Sequence, residues 1–390
     1  VKTDNPAKGA ILATSSPLGE EAIGKVALHL AEGLAKSGFL NRLLYISGRP
    51  LPESDRKSER VAPRRIPLVG RFGWGRKYLQ EKQGRQYQSE VAGAIEKHDP
   101  GLFYGWILQS RQPLETCRRL DIRSALECGS IHPVAFKEIL TREFKRHDIP
   151  LPWHMSDSRI RESLHELGLA DNIVAPSPLV KESFISRGFD PEKIIVMPPG
   201  VDCEFFQPEP KPQSNIQATL YVGRLELAKG VHHLMTAWQK AKGSSRRLIL
   251  VGNIHPCLKR WLELHPEVVD ESVEFAGIQI DLRPYFNKAS FSVLPSLADG
   301  FGMAVMEGMA AGLPAIVTDN CGVKMAVRDG ENGWVVPAGD VDALAERMEQ
   351  AFADAGRIAE MAQNARSEAE KYDWGIFEHN ASILKDLYLK

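Results

Sequence analysis

Apolar residues fall into short continuous runs that alternate with stretches of helical period. The run Gly9–Ala13 predicts a strand, and a loop over 14–23 follows. A helix comes next, with Val26, Leu30 and Leu34 recurring every four residues until Gly38 ends it. Strands are predicted over 41–47, 102–108, 124–127, 172–175 and 194–197. Unbroken apolar runs of this kind suit a parallel sheet covered on both faces. Ser177-Pro178 reads as an N-cap and first-turn proline opening a helix. Residues 207–213 hold three prolines in seven positions, which is linker composition. The alternation then restarts, with strands at 218–222, 247–251, 273–275, 290–294, 315–318 and 333–336. Helices are predicted at 231–240, 256–264, 303–311, 340–351, 359–371 and 377–389. The expected fold class is α/β: two doubly wound, Rossmann-like domains with a seam near residue 200. Their strand ends would face one central cleft.

The length of 390 residues suits two such domains. A hydrophobic share of 43% with 25% charged residues excludes a disordered or collagen-like chain. Net charge is −1, which argues against a uniformly basic nucleic-acid binder. The charge is uneven, however. Residues 1–200 carry 30 basic and 24 acidic side chains, and residues 201–390 carry 19 and 26. Five cysteines, far apart and without a CxxC pair, indicate neither a disulfide framework nor a zinc site. With no apolar run long enough to span a bilayer and no apolar signal core, a reducing, cytoplasmic setting is expected.

Two strings imitate known motifs. Gly19 through Lys25 matches GxxxxGK, but Val26 stands where a metal-binding hydroxyl is needed, and Glu20 and Glu21 would repel phosphate. The segment is expected to be a tight turn whose backbone still approaches a ligand. Asp340-Val341-Asp342 imitates a metal–diphosphate DxD, but its position predicts a helix cap. His232 and His233 are adjacent, so on a helix they should diverge by about 100° and chelate poorly. No metal site is expected.

The informative stretch is 295–314, where the apolar run 291–294 enters a glycine-bearing turn and then a helix of small and apolar residues. Backbone N–H groups from Gly300 through Met303 would be free to bind anionic or hydroxylic atoms. Glu307 lies among Met303, Val305, Met306 and Met309, where an unpartnered charge is costly. Upstream, Gly223-Arg224 and Lys229-Gly230 flank a turn after the first strand of the second half. Two cations at a strand's carboxyl end suit a diphosphate.

Taken together and in this order, these segments resemble glycosyltransferase family 4, retaining enzymes of the GT-B fold. The resemblance extends over nearly the whole chain and is closest from Ala170 to Ala343. It implies a first domain over 1–198 plus about 376–390, with the C-terminal helix returning to it, and a nucleotide-sugar domain over 199–375. By position, Arg224 and Lys229 would grip a donor diphosphate, and Glu307 would bind the ribose. Gly223, Gly300, Phe301, Gly302 and Met303 would line the sugar and phosphate site, and Gly277 and Ile278 would read the base. Asp299 replaces the family's usual Glu, keeping the charge with a shorter reach. The family's Gly-Gly before the first helix falls at Glu21-Ala22, leaving Gly19 or Gly24 as the substitute. His132 or Glu127 would contact the transferred sugar. The resemblance also implies transfer without a cofactor or metal.

The acceptor is expected on the first domain. Residues 56–87 carry ten basic side chains against Glu59 and Glu81, interleaved with aromatic residues. Arg64, Arg65, Arg71, Trp74, Arg76 and Lys77 suit an anionic lipid surface. The partners expected are a nucleotide-sugar donor and a lipid-linked or saccharide acceptor at the inner membrane face, with no nucleic acid. A GT-B epimerase or hydrolase, or a non-catalytic binding relative, is the alternative.

Overall fold

The computed structural model describes residues 8–51, 57–61, 73–209, 217–243 and 245–389. The first half runs β1 (Ala10–Thr14), α1 (Ala22–Lys36), β2 (Leu40–Tyr45), β3 (Ser58–Arg60), α2 (Gly73–His98), β4 (Leu102–Trp106) and α3 (Arg111–Leu120). It continues with β5 (Arg123–Glu127), α4 (Pro133–Arg146), α5 (Asp157–Leu169), β6 (Asn172–Ala175), α6 (Pro178–Ile185) and β7 (Ile194–Val196). Its seven strands form one parallel sheet in the order β3-β2-β1-β4-β5-β6-β7. Along β1, Ala10 and Leu12 join one core cluster while Ile11 and Ala13 join another. Successive side chains point to opposite faces of a strand, so an unbroken apolar run fills two cores at once.

The second half repeats the plan. It runs β8 (Gln217–Val222), α7 (Val231–Ala241), β9 (Arg246–Val251), α8 (Pro256–Leu264), β10 (Val273–Gly277), α9 (Arg283–Lys288) and β11 (Phe291–Leu294). Then follow α10 (Met303–Ala310), β12 (Ala315–Thr318), β13 (Gly333–Val336), α11 (Val341–Ala353), α12 (Ala355–Ala369), α13 (Trp374–Asn380) and α14 (Ser382–Leu389). The sheet order is β10-β9-β8-β11-β12-β13, again all parallel. Strand order reverses at β1/β4 in one sheet and at β8/β11 in the other. Ligands of open α/β sheets bind at such switch points.

The chain passes between the two sheets at one place. Val201 bridges Asp373, with the Val201 N–H donating to the Tyr372 carbonyl at 2.8 Å. Beyond that crossing α13 packs on α1 of the first sheet. Trp374 stacks on His29 with ring centroids 4.1 Å apart, and Glu378 accepts from His29 Nδ1 at 2.8 Å and from Lys36.

Several elements differ from the sequence expectations. Helices α2, α3, α4, α5 and α9 and the short β3 occupy stretches for which no element was expected. In the C-terminal part of α2, Tyr87, Val91 and Ile95 are buried at four-residue spacing. The expected helix over 377–389 is two, with a break at Ala381. Arg64, Arg65 and Arg71 lie outside the described residues, as do the side chains of Trp74, Arg76 and Lys77. Among the described residues no helix is long and apolar enough to cross a membrane. All five cysteines are unpaired and buried. Asp340 caps α11, its Oδ1 accepting from the Ala343 N–H at 2.9 Å.

Candidate active site

A cavity of about 290 Å³ opens where the two switch points face each other. From the second domain it is lined by Gly223, Lys229, Asp299, Phe301, Gly302 and Met303, and from the first by Ala22, Ile23, Glu127 and Gly129. Lys229 ends the turn after β8, and Asp299 lies in the loop after β11. Two parallel strands that end side by side bring them together. Lys229 Nζ donates to Asp299 Oδ2 at 2.6 Å. Burial disfavours the charged ammonium, but the Asp299 carboxylate outweighs it, and the pKa of Lys229 rises above the ordinary lysine value. Asp299 Oδ1 also accepts from the Phe301 N–H at 3.3 Å. Gly302 caps α10 without a side chain, so the first turn of that helix presents its backbone to the cavity.

Glu127 lies opposite, at the end of β5. It accepts from the Tyr104 hydroxyl at 2.6 Å, and burial pushes its carboxyl up to about 7. A carboxyl balanced near neutrality beside a cation-bearing wall can hold or pass a proton.

The remaining sequence candidates stand elsewhere. Arg224 is 60% exposed just outside the cavity, 3.7 Å from Glu226. Glu307 is buried as expected, and its partner comes from the other domain: Lys25 Nζ donates to its Oε1 at 2.7 Å. Sequence reasoning did not single out Lys25 as the partner of Glu307. Gly300 presses on the first domain: its carbonyl accepts from Ser177 Oγ at 2.7 Å, and a Cβ there would lie 2.1 Å from the Gly129 carbonyl oxygen. Gly277 ends the edge strand β10 and Ile278 follows it, both outside the cavity lining.

Two first-domain candidates lie away from the cavity, while Glu127, the alternative to His132, lines it. Gly19 does not line the cavity, because its N–H is spent within its own loop on the Gly24 carbonyl at 3.0 Å. His132 does not face the cavity either. It caps α4, accepting from the Val134 N–H, and packs edge-on against Phe184 at 5.2 Å. Its burial lowers the imidazole pKa to about 4.

One expectation is corrected: His232 and His233 do not diverge, since their rings lie 3.9 Å apart and both Nε2 atoms reach Glu143. Both side chains turn toward the carboxylate that α4 presents to the first turn of α7.

Comparison with known proteins agrees with this architecture. The model for "Glycosyltransferase Family 4" matches residues 23–205, and that for "Glycosyl transferases group 1" matches residues 217–354. The chain belongs to glycosyltransferase family 4. Each of its two halves matches a model, and the unmatched gap between them contains the proline-rich linker. Among family relatives, the D-inositol 3-phosphate glycosyltransferase of Gordonia bronchialis is 29% identical over 241 residues, covering 56% of this chain and 52% of that protein. The putative glycosyltransferase EpsD of Bacillus subtilis is 34% identical over 157 residues, covering 39% and 41%. The chain thus spans about half the length of the curated relatives it matches. In fold it resembles the sucrose-phosphate synthase of Thermosynechococcus elongatus, with a TM-score of 0.77 at 19% identity over 98% and 99% of the two chains. WaaG, a glycosyltransferase involved in lipopolysaccharide biosynthesis, gives 0.69 at 17% identity over 96% and 99%. Anabaena HepE in complex with UDP gives 0.68 at 18% identity over 98% and 100%.

Proposed function

We propose that the protein moves a hexose-type sugar from a nucleotide-diphosphate sugar to a hydroxyl acceptor with retention of anomeric configuration. The observation that carries this reading is the cavity wall in which Lys229, Asp299 and the open end of α10 come together opposite Glu127. Lys229, Arg224 and the first turn of α10 stabilise charge growing on the departing diphosphate. The diphosphate oxygen takes the acceptor's proton on the face from which it leaves. Glu307 binds the ribose after release from Lys25, and Glu127 orients a hydroxyl of the sugar or acceptor. Protein cations serve where a metal would, so transfer needs no added Mg²⁺ or Mn²⁺.

A panel of nucleotide sugars, assayed for transfer and for release of free sugar, tests the reading. Arg224→Ala and Lys229→Ala should each lower turnover at least about tenfold, equivalent to about 1.4 kcal/mol of transition-state stabilisation. Wild-type rates in both variants would overturn it, and free sugar as sole product would favour a hydrolase or epimerase.

The acceptor side is read as anionic, a lipid-linked or saccharide precursor at the membrane face. A second cavity of about 700 Å³ on the first domain gathers Arg85, Arg111, Arg159, Arg161 and His165 around Trp153. It shares Leu108 with an apolar pocket that includes Cys128, next in sequence to Glu127. Basic groups beside an exposed aromatic ring fit a phosphate-bearing headgroup. Co-sedimentation with anionic but not neutral vesicles, lost at high salt, is expected; equal recovery with both kinds would reject the membrane part.

A further inference from the structure

Away from the cleft, four potential metal donors meet where the two domains touch. Glu143 and His147 lie one turn apart at the end of α4, in the first domain, and His232 and His233 open α7 of the second. Helix α4 is seated on its neighbour: Leu140 and Phe144 belong to the hydrophobic core of the second domain. His232, His233 and His147 place their Nε2 atoms 2.8, 3.0 and 3.2 Å from one carboxylate oxygen, Glu143 Oε1. All four ligand atoms lie within 4.8 Å of one another.

Hydrogen bonding alone accounts poorly for this arrangement. A carboxylate oxygen offers two lone pairs, and three ring nitrogens crowd this one. The other ring nitrogens of His232 and His233, both Nδ1, are buried without a hydrogen-bond partner. An ion at the centre would take the Nε2 lone pairs in place of the protons now shared with Glu143, leaving the ring proton on Nδ1. With metal–ligand bonds of about 2.0–2.1 Å, tetrahedral donors stand about 3.3 Å apart, and the three ring nitrogens lie 2.8–3.2 Å from the carboxylate oxygen. Glu143 Oε2 accepts from Arg146 at 3.0 Å, a contact that orients the carboxylate from behind. His147 keeps 20% of its side chain exposed, which gives an ion a way in.

We infer that Glu143, His147, His232 and His233 form a zinc site that ties α4 of the first domain to α7 of the second. Three imidazoles and one carboxylate suit Zn²⁺ among available divalent ions, and a site whose four positions are all filled by protein is structural. The site stands apart from the donor cavity, and its existence does not depend on the proposed transfer reaction. Because its ligands come from both domains, binding free energy there adds to the free energy of domain docking.

The test uses untagged full-length protein from zinc-supplemented medium, passed over a chelating resin and analysed by mass spectrometry for metal. About one zinc per chain is expected, falling below about a tenth in a His147→Ala/His233→Ala double variant. Cobalt(II) added to chelator-stripped wild-type protein should give the intense visible bands of a tetrahedral ion, absent in the double variant. Added Zn²⁺ should raise the melting temperature of stripped wild-type protein alone. Zinc content in the wild type no higher than in the variant, with no saturable one-to-one Co²⁺ binding, would overturn the assignment. The cobalt spectrum is read on the wild type, so the test stands even where the double variant fails to fold.

Discussion

Glu127 illustrates how one residue's surroundings set its chemistry. In the unfolded chain it loses its proton near pH 4.5, whereas in the fold burial holds the proton up to about 7. Between those values the folded state carries the extra proton, so stability contributed by this group falls as pH rises. The whole effect is up to about 3 kcal/mol by pH 8, from about 1.4 kcal/mol per pKa unit. Glu127→Gln cannot ionise, so its stability relative to wild type should grow between pH 4.5 and 7 and then level off. Denaturant titrations of both proteins across that range measure it; a difference independent of pH would refute the burial account. Glu307 shows the complementary case. Its neighbours in the sequence made an unpartnered charge costly, yet the partner, Lys25, lies 282 positions away. No local pattern carries that information.

Single turns hold the cleft's chemistry in place. The turn from β8 into α7 carries Lys229, and it closes through Gly230 in a left-handed conformation, φ +67°. A Cβ at Gly230 would stand 1.9 Å from the Pro295 carbonyl oxygen, where the loop bearing Asp299 begins. Gly230→Ala should therefore destabilise the protein by at least about 2 kcal/mol, from left-handed strain plus overpacking, and displace Lys229 from Asp299. An unchanged denaturant midpoint would show that the turn yields more easily than this packing implies. At this scale the sequence was most legible where apolar runs were continuous: β6, β12 and β13 fall on the expected residues, as does the amphipathic α8. It was least legible for α2 and α4, for which no element was expected. The buried face of α4 makes sense only beside the second domain that covers it, an environment no window of sequence contains. Likewise Gly277, Ile278 and His132 were matched by position alone, and position does not say whether a residue faces the cavity.

Across the molecule, the two domains meet in backbone as well as side-chain contact. The Gly300 loop sits against Gly129 and takes a hydrogen bond from Ser177, while Lys25 reaches Glu307 on the same side. Gly300→Ala has no room for its methyl group in this arrangement and should hold the domains apart. The expected result is a larger radius of gyration by small-angle scattering and a fall in transfer of at least about tenfold, with each domain's own packing retained. An unchanged scattering curve would show that the loop shifts instead. The crossing at Val201 and Asp373 has a different consequence. Both passages of the chain lie side by side there, so everything between them is, in topological terms, an insert whose two ends touch. The second sheet and its helices can thus be exchanged as a single cassette through two neighbouring splice points, without rethreading a strand of the first sheet. A new second domain can be acquired by recombination at one spot on the molecule while the first sheet stays whole.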